Sequence, residues 1–239
     1  MIKYVVARYE NDSYDSFLKE YIDSNNIPAL MIDNSLDGND SIYKKYNTGI
    51  QYYVERGLDD NDILVFCHAD VKILDPDFVE KVEYAFQNIP KLGVAGVIGS
   101  TILTETAGWW LSDQAHHKGH LMQWIDNDEK NKYHMIREVT NNIDMAVVDG
   151  LIMFVRGSLA KTLRFDENTY PQSYDFYDYD YCLHTLELGW RVGVLDVLVE
   201  HKSAGSGIYK DSWAKNKEIF LNKWRGRGYQ FPIAVKPRI

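Results

Sequence analysis

Two polar side chains close an apolar stretch in the first third of the sequence and could do chemistry together. His68 and Asp70 follow the run 63–67, whose apolar residues predict a strand buried on both faces. Side chains two positions apart on a strand point the same way, so the imidazole and the carboxylate can converge on one ligand. Asp70 could also simply end the strand, with His68 as a hydrogen-bonded edge residue. This stretch alone does not decide between the two interpretations.

A second cluster alternates acids with aromatic rings. Asp175, Asp178 and Asp180 lie among aromatic residues in the segment 174–182, which runs into a predicted helix over 183–188. One acid is enough to satisfy the free backbone N–H groups at a helix start. Three acids exceed that need, and a carboxylate held among rings has the raised pKa that suits a general base.

The third candidate is His201, which with Glu200 follows the predicted strand 191–199. A Gly/Ser-rich segment, 203–207, comes directly after it. Glycine permits the large φ/ψ changes that loop closure requires. We therefore expect this segment to close over a bound ligand.

Strands and helices alternate in the first part of the chain. Apolar runs predict strands over 3–7, 28–33, 63–67 and 93–99, and apolar residues at helical spacing predict helices over 14–22, 42–54 and 78–86. This alternation predicts a mostly parallel sheet of right-handed βαβ units, which binds ligands at the carboxyl ends of its strands. The sequence contains neither GxGxxG nor a P-loop, so a standard dinucleotide or ATP cradle is not expected.

The alternation stops between residues 100 and 142, where we expect a long irregular segment that is functional or mobile. This segment contains Trp109, Trp110, Trp124, His116, His117 and His120. Exposed tryptophans would suit stacking on the apolar faces of sugars or bases, whereas buried ones would only pack. The histidines have no fixed carboxylate or cysteine partner, so a solvated loop is favoured over a zinc site.

Composition narrows the class of protein. The chain has 239 residues with 45% hydrophobic content, enough for one large domain or two small ones. The formal charge of −9 argues against nucleic-acid binding. Cys67 and Cys182 lie in apolar segments without metal-ligand spacing, so we expect two buried free thiols. With no apparent signal peptide or bilayer-spanning run, a soluble cytoplasmic protein is expected.

The charge reverses near the C-terminus. The bases are Lys210, Lys215, Lys217, Lys223, Arg225, Arg227, Lys236 and Arg238. One interpretation is a solvated basic helix and tail. The other is a surface that meets anionic lipid at the inner face of the membrane, helped by Trp213 and Trp224 at the interface.

The joint order of these motifs resembles family 2 glycosyltransferases with the GT-A fold over nearly the whole chain. The motifs are the acid-terminated strand 65–70, Val148-Asp149-Gly150, Phe165-Asp166-Glu167 followed by 177–182, the strand closing on His201, and the late segment 216–224. The resemblance implies an α/β fold with a mixed, mostly parallel central sheet flanked by helices. It also implies a GT-A domain over 1–208, with a nucleotide-sugar-binding half (1–100) and an acceptor and catalytic half (101–208), followed by a basic helix and tail (209–239).

The resemblance further implies metal-dependent, inverting transfer from a nucleoside-diphosphate sugar to a hydroxyl acceptor, such as a bacterial surface glycan or a lipid-linked glycan. By position, Asp178 would be the catalytic base, and Asp70 and His201 would hold Mn²⁺ or Mg²⁺. Donor contacts would come from Ala7, Arg8, Asp33, His68 and Asp70, and acceptor contacts from Trp109, Trp110, Asp149, Gly150 and Tyr177. We expect Asp180 to act in helix capping.

Two departures from the family pattern keep alternatives open. His68 stands where the first acid of the DxD motif would be, and Tyr177 replaces a glutamate. A non-catalytic sugar-nucleotide-binding or scaffold protein is therefore one alternative. Nucleotidyl transfer is another, but it needs a glycine- and base-rich phosphate loop, and residues 7–10 supply one base and no glycine.

Overall fold

Strands and helices alternate through the parts of the chain that the computed structural model describes, residues 1–8, 13–33, 41–126, 128–139, 144–170, 174–202 and 211–235. The strands in these parts are β1 (Ile2–Arg8), β2 (Ala29–Asp33), β3 (Ile63–His68), β4 (Val71–Ile73), β5 (Leu92–Gly96), β6 (Ile98–Ser100), β7 (Ile102–Leu103), β8 (His117–Ile125), β9 (Asp128–Ile136), β10 (Val147–Val148), β11 (Ile152–Arg156), β12 (Arg191–Val194), β13 (Val199–His201) and β14 (Ile233–Ala234). The helices are α1 (Tyr14–Phe17), α2 (Lys19–Ser24), α3 (Ile42–Glu55), α4 (Phe78–Asn88), α5 (Gly157–Thr162), α6 (Tyr177–Glu187) and α7 (Asp211–Gly226).

The central sheet has the strand order β12-β5-β11-β3-β1-β2. β11 runs antiparallel to both its neighbours, and the other pairs are parallel. This arrangement confirms the predicted mixed, mostly parallel sheet. The first five residues of β3 are buried, as their apolar character requires. Register places Ala7 opposite His68 and Arg8 opposite Asp33, so the carboxyl ends of β1, β2 and β3 share one edge.

A second sheet, in the order β10-β6-β8-β13-β4 with β9 paired to β8, lies beyond that edge. The predicted strand 93–99 divides here, because β5 joins the central sheet and β6 joins the second one. β4 follows β3 after a two-residue turn, Ala69-Asp70, and pairs antiparallel with β13, so that Val71 lies opposite His201. This pairing brings the end of β13 to the end of β3.

The prediction of an irregular segment over 100–142 is wrong for most of that range. β8 and β9, each of nine residues, form an antiparallel hairpin within it. β9 is largely exposed and mostly polar, and therefore lacks the apolar alternation from which a half-buried strand is recognised. Its pairing with β8 is decided by tertiary contacts.

α3 shows how a helix is seated on the sheet. Ser41 caps it by accepting from the Lys44 backbone N–H at 3.3 Å, and its predicted apolar face, including Tyr46 and Ile50, is buried. A Cβ atom on Gly49 would lie 2.3 Å from a methyl group of Val5. Glycine at this position therefore allows α3 to approach β1 closely.

Asp180 joins α6 to α7 and does not cap a helix. The α6 N-cap is Phe176, at φ 66°, without a side-chain capping bond. The buried Asp180 carboxylate instead accepts from Lys223 Nζ at 2.7 and 2.8 Å and from Trp224 Nε1 at 3.0 Å. The capping role expected for Asp180 is therefore wrong, because its side chain turns toward α7.

The basic C-terminal segment is largely engaged within the molecule. Trp224 is fully buried in the same hydrophobic core as the central sheet, which removes it as an interfacial residue. Three of the bases pair with acids, Lys223 with Asp166 and Asp180, Arg225 with Glu105, and Arg227 with Glu187. Lys210, Lys236 and Arg238 lie outside the described residues. In the described residues no helix combines the length and apolarity needed to cross a bilayer.

We expect Lys223→Met to destabilise the protein by about 3–5 kcal/mol, because it leaves the Asp180 carboxylate buried without its cation. Urea unfolding at neutral pH measures the loss. Arg225→Met is the matched control, since Arg225 pairs with the exposed Glu105 and such pairs contribute only about 0–1 kcal/mol. Equal losses in the two variants would contradict this account of the α6–α7 contact.

Candidate functional site

A cleft of about 350 Å³ opens where the two sheets meet, and most of the predicted site residues line it. They are His68, Trp109, Trp110, Asp149, Tyr177, Asp178 and His201. A larger cavity of about 740 Å³, beside Arg156 and Trp190, contains none of the predicted residues. The cleft is therefore the candidate active site.

Three potential metal ligands converge at one side of the cleft. One ligand atom from each of His68, Asp70 and His201 lies within 4.8 Å of the other two. His68 ends β3, Asp70 occupies the turn into β4, and His201 ends β13, which pairs with β4. His201 Nε2 lies 3.4 Å from Asp70 Oδ1. The sequence predicted Asp70 and His201 as ligands and placed His68 with the donor, whereas the structure groups all three.

The tautomer of His201 follows from its neighbour Gln123. The Gln123 amide nitrogen donates to the His201 carbonyl at 3.1 Å, which fixes the orientation of the amide and leaves Oε1 facing His201 Nδ1 at 2.9 Å. Nδ1 therefore carries the proton, and Nε2 presents a lone pair. That Nε2 is buried without a hydrogen-bond partner.

The unpaired Nε2 lone pair of His201 and the buried carboxylate of Asp70 are together suited to bind a divalent cation. A histidine whose other nitrogen is held by an oxygen acceptor is also the usual arrangement around a bound metal. Sequence reasoning missed Gln123. No local signal identifies it, because the pairing of β8 with β13 brings it to His201.

The ionisation states of Asp70 and His68 also suit metal binding. Burial raises the pKa of Asp70, but the interactions that His201 and His68 make with this carboxylate when they are protonated outweigh burial and bring its pKa to about 2. Burial lowers the pKa of His68, with Asp70 opposing and His201 reinforcing the shift. An ionised carboxylate beside a neutral imidazole is the ligand form that metals bind.

Tyr177 holds the ring of His68. Its hydroxyl lies 2.7 Å from His68 Nε2. A Cβ atom on Gly150 would lie 2.2 Å from the same hydroxyl, so only glycine leaves room for the Tyr177 ring there. Tyr177 was predicted to contact the acceptor, and the structure shows that it also contacts a member of the metal-ligand cluster.

Asp178 and Asp149 are two carboxylates in different environments. Asp178 accepts from the backbone N–H of Gly150 at 2.8 Å and of Tyr179 at 2.9 Å. Its burial and the negative charge of Asp149 nevertheless raise the pKa of Asp178 to about 8. Asp149 accepts from Trp109 Nε1 at 2.7 Å and from the Leu151 backbone N–H at 3.0 Å. Asp178 thus has the pKa of a general base near neutral pH.

The predicted donor residues of the first two strands lie on the shared sheet edge and outside the lining of the cleft. Ala7 is next to His68 in register, and Arg8 is next to Asp33. The Arg8 guanidinium carbon lies 4.5 Å from the centre of the Tyr14 ring. Their role in donor binding stays a prediction. The predicted lid, 203–207, lies outside the described residues.

Several aromatic residues line the same cleft. Trp109 is buried, whereas Trp110 is 38% exposed. Further wall residues that sequence reasoning did not assign to the site are Tyr133, Met135, Tyr174 and Trp213. Tyr133 and Met135 belong to β9 of the hairpin. Because this part of the sequence was predicted to be irregular, its side chains could not be assigned to the site.

The histidines of the segment 100–142 do not form a cluster. His116 Nδ1 lies 2.9 Å from the Thr101 hydroxyl, and the buried His117 packs edge-on against Trp109. His120 pairs instead with His134 on β9. The three residues diverge because they span a 3₁₀ turn and the start of β8.

Comparisons with known proteins agree with this architecture. Residues 6–224 match the model of a glycosyltransferase-like family. No curated protein matches the sequence. The solved structure of GalNAc-T7 with UDP, GalNAc and Mn²⁺ superposes with a TM-score of 0.50 at 10% identity, over 88% of this chain and 40% of that one. That likeness shows a shared fold.

Two further solved structures have lower TM-scores. A197 from STIV gives 0.47 at 11% identity, over 82% of this chain and 81% of that one. A glycosyltransferase involved in glycosylation of the major capsid of PBCV-1 gives 0.42 at 10% identity, over 92% and 98%.

Proposed function

Because this chain belongs to the glycosyltransferase-like family, we propose that it is a metal-dependent, inverting glycosyltransferase acting on a nucleoside-diphosphate sugar. The observation that carries the proposal is that His68 and His201, which form the ligand cluster with Asp70, line the same cleft as Asp178. A transferase of this kind needs a cation at the leaving diphosphate and a base at the acceptor. The ligand cluster would supply the cation site, and Asp178 would supply the base.

Asp70 and His201 would hold Mn²⁺ or Mg²⁺, with His68 as a third ligand, and the imidazoles favour Mn²⁺. When bound, such an ion stabilises the negative charge that grows on the diphosphate as the glycosidic bond breaks. Asp70 supplies the anionic ligand, and His201 supplies the Nε2 lone pair that Gln123 orients. Tyr177 holds His68 in place.

Asp178 would remove the proton from the acceptor hydroxyl as that oxygen attacks the anomeric carbon. Inversion needs only one such base, because the displacement occurs in a single step. The pKa near 8 leaves Asp178 basic enough to take the proton and ionised in a useful fraction of molecules at neutral pH. Asp149 accepts from Trp109 Nε1 and from the Leu151 backbone N–H, and its negative charge helps to raise the pKa of Asp178.

An uncharged sugar suits the acceptor side of the cleft. None of the described residues that line it is Lys or Arg, so it offers no cation to a phosphate of the acceptor. The exposed rings of Trp110 and Tyr133 can stack on the apolar face of a pyranose. We therefore propose that the glycan part of the acceptor enters here, whether or not the glycan is linked to a lipid.

A donor-turnover assay tests the function. UDP-, GDP- and dTDP-sugars are incubated with the protein, Mn²⁺ and a set of oligosaccharide acceptors, and released nucleoside diphosphate is measured. We expect release from one class of donor and its loss on adding EDTA. Donor binding without release from any of the sugars would instead support the non-catalytic sugar-nucleotide-binding protein.

Removing the Tyr177 hydroxyl should weaken metal binding. Tyr177→Phe leaves the ring in its place beside Gly150 but frees His68, and loss of such an outer contact lowers metal affinity by about 10–100-fold. Calorimetric titration with Mn²⁺ measures this change. Tyr133→Phe removes the hydroxyl of another cleft residue that is not part of the ligand cluster, and this variant should bind Mn²⁺ as the wild type does. Unchanged affinity in Tyr177→Phe would show that Tyr177 does not position His68.

A further inference from the structure

Two histidines meet across the β8–β9 hairpin, away from the ligand cluster. His120 Nε2 and His134 Nε2 lie 3.0 Å apart. The rings are nearly parallel, at 7°, with centroids 5.0 Å apart. His134 lies opposite Met122 in register, so His120 and His134 are diagonal neighbours on one face of the hairpin.

This face is not the one that lines the cleft. Side chains alternate along each strand, and Leu121 and Gln123 of β8 line the cleft together with Tyr133 and Met135 of β9. His120 and His134 alternate with these residues and are absent from the lining. Whatever binds the histidine pair therefore occupies a place separate from the substrate.

The two Nε2 atoms lie close enough to share one proton or one metal ion between them. A hydrogen bond between two imidazole Nε2 atoms needs a proton on one and a lone pair on the other, and a divalent cation can take the place of that proton when both present lone pairs. An ion bound at about 2.0–2.1 Å to each of two nitrogens spans a separation of about 2.9–3.4 Å. The observed distance of 3.0 Å falls within that span.

Asp196 supplies an orienting carboxylate. Its Oδ1 lies 3.5 Å from His120 Nδ1, on the side of the ring opposite His134. A carboxylate beside the distal nitrogen favours the proton there, which leaves the lone pair on Nε2. This arrangement of carboxylate, histidine and ligand position is typical of outer-shell support for zinc.

We propose that His120 and His134 form a second metal site, selective for Zn²⁺ over Mn²⁺ or Mg²⁺, which ties β8 to β9. Imidazole pairs favour Zn²⁺ over the oxygen-preferring cations. Water completes the coordination, because the described part of the chain adds no third ligand within the same reach. The nearly parallel rings must tilt for their lone pairs to converge, and the exposed position of His134 permits this rotation.

The site would act on the hairpin as a clamp. β9 is an exposed edge strand held by β8, and its other face supplies Tyr133 and Met135 to the cleft. A bond from β8 through an ion to β9 would hold this wall in register. The inference concerns ion binding on the hairpin and does not depend on the proposed transferase activity.

Calorimetric titration of the untagged, full-length protein with Zn²⁺ tests the site. The ligand cluster can also take Zn²⁺, so we expect the wild type to bind one Zn²⁺ more than His134→Ala and than His134→Gln, which keeps a polar side chain at the strand edge. Asp196→Asn should weaken binding by about 10–100-fold. Asp70→Ala should retain the site.

A direct readout accompanies the titration. The imidazole C2–H resonances of His120 and His134 should shift in NMR spectra of the wild type and of Asp70→Ala on adding Zn²⁺. Wild type and both His134 variants binding Zn²⁺ with the same stoichiometry and affinity would overturn the proposal. Circular dichroism of the variants checks that they are folded, and the glutamine variant keeps the test decisive if alanine loosens the hairpin.

Discussion

Asp178→Asn should slow sugar transfer by about 10²–10⁴-fold and leave donor binding close to that of the wild type. The amide preserves the size of the side chain, and its one oxygen can accept from only one of the Gly150 and Tyr179 backbone N–H groups. It cannot take a proton from the acceptor. Transfer is measured by nucleoside-diphosphate release with acceptor present, and donor binding by calorimetry with Mn²⁺. Near-normal turnover would remove Asp178 as the base.

Asp175→Asn is the matched control. Asp175 also lines the cleft, and it accepts from the Asn216 side chain at 3.1 Å. Its conversion to an amide removes a carboxylate from the cleft and leaves Asp178 in place. We expect a reduction in transfer of less than about tenfold, well below the effect of removing a general base.

The pH dependence of the wild type supplies a second check. The pKa of Asp178 near 8 means that the free protein holds this proton below pH 8, so kcat/KM should rise with pH and level off above about 8. Asp178→Asn should lack this rise. A rise that persists in the variant would assign it to another group.

The same pKa shift has a consequence for stability. Because burial and Asp149 raise the folded-state pKa above the ordinary carboxyl value, the folded state holds a proton that the unfolded chain releases. The resulting stabilisation is complete below the ordinary pKa and is lost as pH rises toward 8. The amide of Asp178→Asn does not titrate, so this variant does not lose stability in this way as pH rises. Its inactivity at alkaline pH would therefore not come from this source of unfolding.

Asp70→Ala should abolish metal-dependent donor binding. Asp70 is the single carboxylate of the ligand cluster, and the two imidazoles alone would bind Mn²⁺ far more weakly. We expect metal affinity to fall by more than the 10–100-fold typical of an outer-shell contact. Donor affinity should then be the same with and without EDTA, whereas EDTA should weaken it in the wild type.

Asp77→Ala is the control for this variant. Asp77 is exposed at the start of α4 and makes no side-chain capping bond there. Its loss should leave the EDTA effect intact. The pKa of Asp70 near 2 also means that mild acid should not protonate this group, so a pH change from 8 to 5 should not mimic the substitution through Asp70. Donor binding that is insensitive to EDTA in the wild type would contradict the metal assignment.

Several expectations remain predictions. The domain boundary near residue 208, the roles of Ala7, Arg8 and Asp33, and the cytoplasmic location are among them. Membrane contact of the C-terminal segment also stays a prediction, but Trp224 cannot contribute to it because Trp224 is buried. Closure of the segment 203–207 over the donor also stays a prediction, which increased protease protection with nucleotide and metal would test.

The sequence by itself determined the alternating strands and helices of the first part of the chain and the chemistry at the end of β3. These features are local, because apolar spacing reports burial, and Asp70 follows His68 by two positions, in the turn after β3. The acid and aromatic pattern around Asp178 also predicted a raised carboxyl pKa, and burial together with the distant Asp149 raises it in the structure.

Only the tertiary structure decided which distant side chains meet. Strand register brings Gln123 to His201 and His134 to His120, and helix packing brings Lys223 and Trp224 to Asp180. The physical reason is that a one-residue slip in register sends every side chain of a strand to the other face. No local pattern in the mostly polar β9 specifies that register.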